Sequence, residues 1–405
     1  MIRNCAGAFN VVYSLFSDLR FSVNGSRSRL NPLPCVDMDV FTLSATANGD
    51  AAAAIQEALD AGRPVVITAG TYRIERTILL PSGARIEALD GAVIRLADGA
   101  CRERDDYLLK NANPAEGDAD IEVSGGVWDG NNRGNPRPDG LFADGYTGTM
   151  FHFENVDGLR VANLVMQNAE AYHLRATAVR NFTIESIAFA SECVRHNNDG
   201  IHLGGECSDG VIRDIVGLHA GVTADDLVAL NADDALDRNE VRGMRSGPIR
   251  RLRIEHLRAE GCHCFVRLLS VYSPIEDVEI CDVEGTCTGS AINCDAARGC
   301  RVPVFDEADP PFANGVGLLK NVTVRRIRVA KSVADASPLL RLETRCSVFV
   351  VEQFTREHDE SPDTPTVRIQ HVPGTRVTVD GESFVAGDDS FVSHAGTVGR
   401  LTLEP

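Results

Sequence analysis

The stretch DGLRVANLVMQN (157–168) sets apolar residues at every second position, breaks at a polar residue, and then adds a second apolar pair. RNFTIESIAFAS (180–191) and SDGVIRDIVGLH (208–219) repeat that phrase. It returns in PIRRLRIEHLRAEG (248–261), SPIEDVEICDVEG (273–285) and KNVTVRRIRVAKS (320–332). Anchored on one apolar position, the series runs Val161, Ile184, Ile212, Ile254, Ile280 and Val324, in steps of 23, 28, 42, 26 and 44 residues. Alternation with period two marks a strand that buries one face. A β-rich phrase recurring in the twenties of residues, without helices between, marks a solenoid. The expected fold is all-β, a right-handed parallel β-helix. The two long steps are read as two coils each, with DDLVALN (225–231) as the strand hidden inside the first. A β-sandwich would place strands every 8–12 residues but would not return one internal order per turn. A leucine-rich repeat has a similar period, but its leucine and asparagine pattern is absent and Val and Ile dominate, as strands prefer.

A solenoid needs covered ends. AAAAIQEALDAG (51–62) combines helix formers with an apolar stripe through Ala54, Ile55 and Leu59 and stops at Gly62, which predicts an N-terminal capping helix. The alternating segments after residue 362 are expected to complete the last coils. Residues 1–36 read as a peripheral extension and 37–405 as one domain.

The formal net charge is -18, which excludes a general nucleic-acid binder. Only Lys110, Lys320 and Lys331 among the 40 basic residues are lysines. No run reaches the ~18 apolar residues of a membrane span. The N-terminus makes a poor secretion signal, so a cytoplasmic location is expected, or secretion if the true start lies elsewhere. Of 12 cysteines, six fall between Cys262 and Cys300 without a Cys-x-x-Cys spacing, and buried cysteines stacked along coils are expected rather than a zinc site.

Three stretches resemble glycoside hydrolase family 28, the polygalacturonase-like enzymes of the pectin-lyase-like β-helix superfamily. AAIQEALDAGRPVVITAGTYRI (53–74) and GGVWDGNNRG (125–134) resemble its fold-defining segments. HNNDGIHLGG (196–205) resembles its Asn-Thr-Asp-Gly motif, with Asn198 in place of threonine and Asp199 as the carboxylate. ADDLVALN (224–231) resembles the Gly-Asp-Asp motif and supplies Asp225 and Asp226, while EGCHCFVRLLS (260–270) puts His263 where the family has Gly-His-Gly. The family's Arg-Ile-Lys motif has no counterpart in GSAINCDAA (289–297).

Coils of a parallel solenoid lie ~4.8 Å apart, so residues one coil apart become lateral neighbours. Asp199, Asp225 and His263 then share one groove, and crowded carboxylates push one pKa up, leaving an acid beside a base. Adjacent strand residues face opposite ways, so Asp225 and Asp226 share that groove only at a turn or strand end. The resemblance implies inversion, with Asp225 as acid, Asp199 and Asp226 as the base pair positioning water, and His263 tuning the acid. Inversion needs carboxyl groups ~6.5–9.5 Å apart. Asn198, His202, Arg267, His173 and Arg195 are the substrate-binding candidates, and no metal or cofactor is expected. Trp128 could offer a sugar platform or simply sit in a turn. The insertions 133–148 and 231–248 would wall the cleft, and closing one end would make the action exo. The expected partner is a polysaccharide or oligosaccharide, with oligomerisation open. Two rivals stay open: a lyase or uronate epimerase using Ca²⁺ on the acidic cluster, and a non-catalytic glycan-binding or tailspike-like β-helix.

Overall fold

The computed structural model describes residues 39–44, 49–138, 145–234, 236, 244–299, 303–357, 360–387, 389–392 and 396–405. The 1–36 extension lies outside the described residues. The polypeptide winds into two hydrogen-bonded sheets of 15 and 11 strands. Each middle coil lends one long strand to the first sheet and one short strand to the second, and neighbours along these stacks run parallel. Val161, Ile184, Ile212, Ile254, Ile280 and Val324 stand in direct register, one per coil, and all are buried.

That register corrects the coil count. The steps of 42 and 44 residues each hold a single coil, because Ile212 pairs with Ile254 and Ile280 with Val324. The strand Asp226–Asn231 belongs to the second sheet of the same coil, and the extra length lies in the connections.

The polar break in the repeating phrase has a backbone cause. Asn163, Ser186, Asp214, His256, Asp282, Arg326 and Gln353 all take left-handed φ values between 54° and 59°, each inside a long strand. Such a residue turns the strand through a corner, and only short polar side chains adopt it readily. Where Arg326 and His256 stand there instead, a carboxylate on the neighbouring coil supports each. Arg326 donates to both oxygens of Asp282 at 2.6 Å, and His256 lies 3.0 Å from Asp214.

The capping helix spans Ala51–Asp60 and buries Ala51, Ala52, Ile55, Ala58 and Leu59, with the Asp50 carboxylate accepting from the Ala52 N–H at 3.0 Å. One continuous apolar core runs from Ala51 to Leu403. Trp128 belongs to it, fully buried edge-on against Phe151, with its indole N–H given to the Gly125 carbonyl, so it is no sugar platform. The nine described cysteines form no disulfide, and Cys262 and Cys287 stack in register on consecutive coils. At the far end Val367–Gln370 still pairs in parallel. The strands Arg376–Val379, Glu382–Val385, Asp389–Val392 and Val398–Glu404 pair antiparallel, so they close the solenoid rather than adding coils. Reversed direction ends the repeat and covers its last edge.

Candidate active site

The second sheet delivers the acidic residues. Asp199 lies two residues ahead of the strand Ile201–Leu203, and Asp226 begins the strand of the next coil, Asp226–Asn231. Ile201 pairs with Val228, which sets Asp199 beside Asp226, and Asp226 pairs with Cys264 one coil further on. Asp225 stands just before its strand, where alternation has not begun, so its carboxylate joins that of Asp226. One oxygen from each of Asp199, Asp225 and Asp226 lies within 4.8 Å of the others. Asp199 and Asp226 are buried and Asp225 is half-buried.

Burial and the neighbouring Asp225 charge push Asp199 up to about 7, while His202 and Arg267 pull the other way. Burial and Asp225 likewise raise Asp226 well above the carboxylate range, although Arg267 Nη1 stands 3.8 Å from its Oδ2. Near neutral pH the cluster therefore keeps a proton among its carboxyls. The three oxygens are close enough to gather round a cation, but Arg267 and His202 already supply positive charge there.

His202 is the best-fixed member of the site. Its Nδ1 lies 2.6 Å from Asp199 Oδ2 and its Nε2 2.7 Å from Asp234 Oδ2, with the side chain almost fully buried. Burial opposes its charge, yet Asp234 and Asp199 hold its pKa up at about 10. Arg267 donates to Asp295 Oδ2 from Nη2 at 2.5 Å and from Nε at 3.1 Å, so it bridges Asp295 and Asp226.

Three residues expected at the groove do other work. His173 is fully buried against Phe189, with Nδ1 2.8 Å from the Asp199 carbonyl and Nε2 2.9 Å from Ser191 Oγ. Burial lowers its pKa to about 4, and it braces the Asp199 backbone instead of meeting substrate. Asn198 is also fully buried, donating to the Ala171 and Ala169 carbonyls at 2.6 and 3.2 Å. Arg195 is committed to Glu170 at 3.1 Å. His263 stands exposed one coil past Asp225, its ring so close over Gly289 that a Cβ there would lie 3.0 Å from Cε1. The cation beside Asp226 is Arg267, not His263.

Sequence reasoning missed Asp234 as a partner of His202 and Asp295 as a partner of Arg267. Asn197 also reaches Asp225 Oδ2, at 3.4 Å. In the sequence Asp234 stands out only as half of the adjacent pair Asp233 and Asp234.

Residues 110–241 match the profile of Glycosyl hydrolases family 28. Over that segment the chain resembles family 28. The matched segment holds Asp199, Asp225, Asp226, His202 and Asp234, and it stops before His263 and Arg267. No curated protein matches the sequence. Among solved structures the chain is similar to a polygalacturonase from Erwinia carotovora ssp. carotovora, at 14% identity and TM-score 0.53, covering 86% of this chain and 99% of that one. It is also similar to a family GH82 iota-carrageenase from A. fortis, at 12% identity and TM-score 0.51, covering 87% and 82%. A galactohydrolase of a sulfated galactose–anhydrogalactose polymer shares 13% identity and TM-score 0.51, covering 89% and 82%. These likenesses carry the right-handed parallel β-helix.

Proposed function

We propose that the protein is a glycoside hydrolase that cleaves a polysaccharide or oligosaccharide by inversion. The observation that carries this reading is the three-aspartate cluster, assembled from consecutive coils inside the family-28-like segment. Hydrolysis needs one carboxyl protonated for the leaving oxygen and one ionised to activate water. Asp225, the most accessible of the three, is the acid that meets the leaving oxygen, drawing on the proton the cluster retains. Asp199 and Asp226 are the base pair. Their oxygens and that of Asp225 lie within 4.8 Å of one another, closer than the ~6.5–9.5 Å between the acid and the base of an inverting pair, so inversion rests on the family resemblance and not on this distance. The spacing of Asp199 and Asp226 suits one water that donates to both, at hydrogen-bond lengths of ~2.7 Å.

Exposure beside the triad is asymmetric, which favours exo action. The outward row of the second sheet runs Lys110, His152, Arg175, His202, Ala229, Arg267, Asn293, Arg341, Arg368. Before the triad, His152 and Arg175 are buried; after it, Arg267, Asn293, Arg341 and Arg368 are partly exposed. The described ends of both insertions pack on the covered side, Arg137 on Glu170 and Arg245 on Glu154. Residues 139–144 and 237–243 of those insertions lie outside the described residues.

The test is a screen of wild type and Asp225→Asn against pectic, sulfated-galactan, hemicellulosic and microbial glycans. Reducing ends, unsaturated-uronate absorbance, product size and the first-formed anomer are read with and without EDTA. Short products of inverted configuration, insensitive to EDTA and lost in the variant, are expected. New absorbance abolished by EDTA would move the protein to the lyases. No product from any glycan would leave a binding module.

A further inference from the structure

The strongest unused feature is the chain of contacts behind Asp199. His202 sits in the second sheet with carboxylates on both ring nitrogens, Asp199 at 2.6 Å and Asp234 at 2.7 Å. Asp199 comes from the same coil, three residues earlier, whereas Asp234 arrives after the next strand, Asp226–Asn231. Asn231 helps fix the arrangement, its Nδ2 donating to Asp234 Oδ1 at 3.4 Å. An imidazole donates from both nitrogens only when doubly protonated, so two acceptor carboxylates select the imidazolium.

The other groups packed around His202 define its electrostatic setting. The Tyr172 ring meets it edge-on at 4.7 Å, Arg175 is its register neighbour one coil back, and apolar Ala229 is its neighbour one coil on. Asp225 and Asp226 lie round Asp199, and Arg267 follows Ala229 in the row. Arg267 gives its closest contact to Asp295. The cation nearest to Asp199 is therefore His202 itself.

We propose that Asp234 is a positioning residue: through His202 it fixes the Asp199 carboxylate and keeps a positive charge against it. The proposal rests on reading Asp199 as one of the base pair. It concerns a residue to which the family resemblance assigned no role. Without the Asp234 charge the imidazole loses its reason to stay cationic. Asp199, deprived of its counter-charge among two other carboxylates, then takes up a proton more readily. The limb on which activity rises with pH should move to higher pH.

Full-length wild type, Asp234→Asn and Asp234→Glu are compared in two ways. The first is the pH profile of kcat/KM on whichever glycan the screen identifies. Asp234→Asn should move the rising limb up by about one unit, a roughly tenfold loss on that limb with recovery at higher pH. Asp234→Glu, which keeps the charge, should restore the limb. A loss equal at every pH, with the limb in place, would make Asp234 a structural strut and overturn the proposal. The second is long-range proton–nitrogen NMR of histidine-labelled protein, with the His202 signals assigned by their disappearance in His202→Gln. An imidazolium at pH 8 in wild type that becomes neutral in Asp234→Asn is expected. A neutral His202 at pH 8 in wild type would overturn the proposal. This measurement needs no substrate, so it decides the His202 charge even if no glycan is cleaved and the hydrolase reading falls.

Discussion

Two Asp-Asp pairs bracket one strand, Asp226–Asn231, and they do different things. At its start, Asp225 and Asp226 point together at Asp199 and form a cluster that retains a proton. Past its end, Asp233 turns away and accepts from the backbone N–H groups of Val271, Tyr272 and Ser273 at 2.6, 2.8 and 2.9 Å, while Asp234 reaches His202. The first pair concentrates like charge at a cost in stability. Asp233 spreads its charge over donors that would otherwise be buried without partners. The dipeptide alone therefore carries no assignment; the coil that each oxygen reaches decides it.

Substitution at the two ends should separate the roles. Asp226→Asn is expected to lower kcat by about 10³-fold, within the range general acid–base groups contribute. Its melting temperature should hold or rise, because a crowded buried carboxylate is gone. Asp233→Asn should do the reverse, lowering stability by roughly 2 kcal/mol through unsatisfied N–H groups while kcat keeps its order of magnitude. Calorimetry beside steady-state kinetics reads both. If Asp226→Asn melted lower and kept its rate, the contrast between the pairs would be wrong.

The pH dependence sharpens the same contrast. Asp199 is held near 7 by burial and Asp225, so kcat/KM should rise through about 7 as it ionises, and fall at higher pH as the cluster gives up the proton that Asp225 draws on. Stability should run against this. A carboxyl whose pKa is raised on folding binds a proton that the unfolded chain releases, so its contribution is present at low pH and lost as pH rises through about 7. His202, raised to about 10, contributes fully below the ordinary histidine pKa and loses that contribution as pH climbs to about 10. His173, lowered to about 4, works the other way up to the ordinary histidine pKa of ~6.5, so the urea midpoint should drop between about pH 7 and 9. A midpoint climbing over that interval would mean that the cluster carries no buried proton.

The solenoid was legible because its cause is periodic. Val161 and its register partners repeat, and the break between them marks the residue that turns the corner. The same periodicity brings Asp199 and Asp225 together as neighbours one coil apart; the register sets Asp226 opposite Asp199, and Asp225 joins from just before the strand. What could not be read was any contact made off the register. Asp234 bends back from a connection to reach His202, off any period, and Asp295 stands opposite Leu269, so it meets Arg267 only diagonally. The long steps misled because connection length varies while the register does not. His173 and Asn198 were misplaced because they precede their strands, at corners where alternation does not say which side chains turn inward.

Arg195 offers the smallest test of that distinction between periodic and local information. It lies on the covered side of the groove and pairs with Glu170 at 3.1 Å, while Arg137 approaches the same carboxylate at 3.8 Å. Its side chain is 39% exposed, so the pair is screened and contributes ~1 kcal/mol at most. With Arg137 still beside Glu170, Arg195→Ala should move stability by less than that. If Arg195 only braces the wall, KM should rise by less than the roughly tenfold that losing a direct contact of about 1.4 kcal/mol would give, with kcat unchanged. A larger rise in KM would put its guanidinium on the substrate, as the sequence suggested. The covered side of the groove would then open further in solution than Glu170 and Arg137 imply.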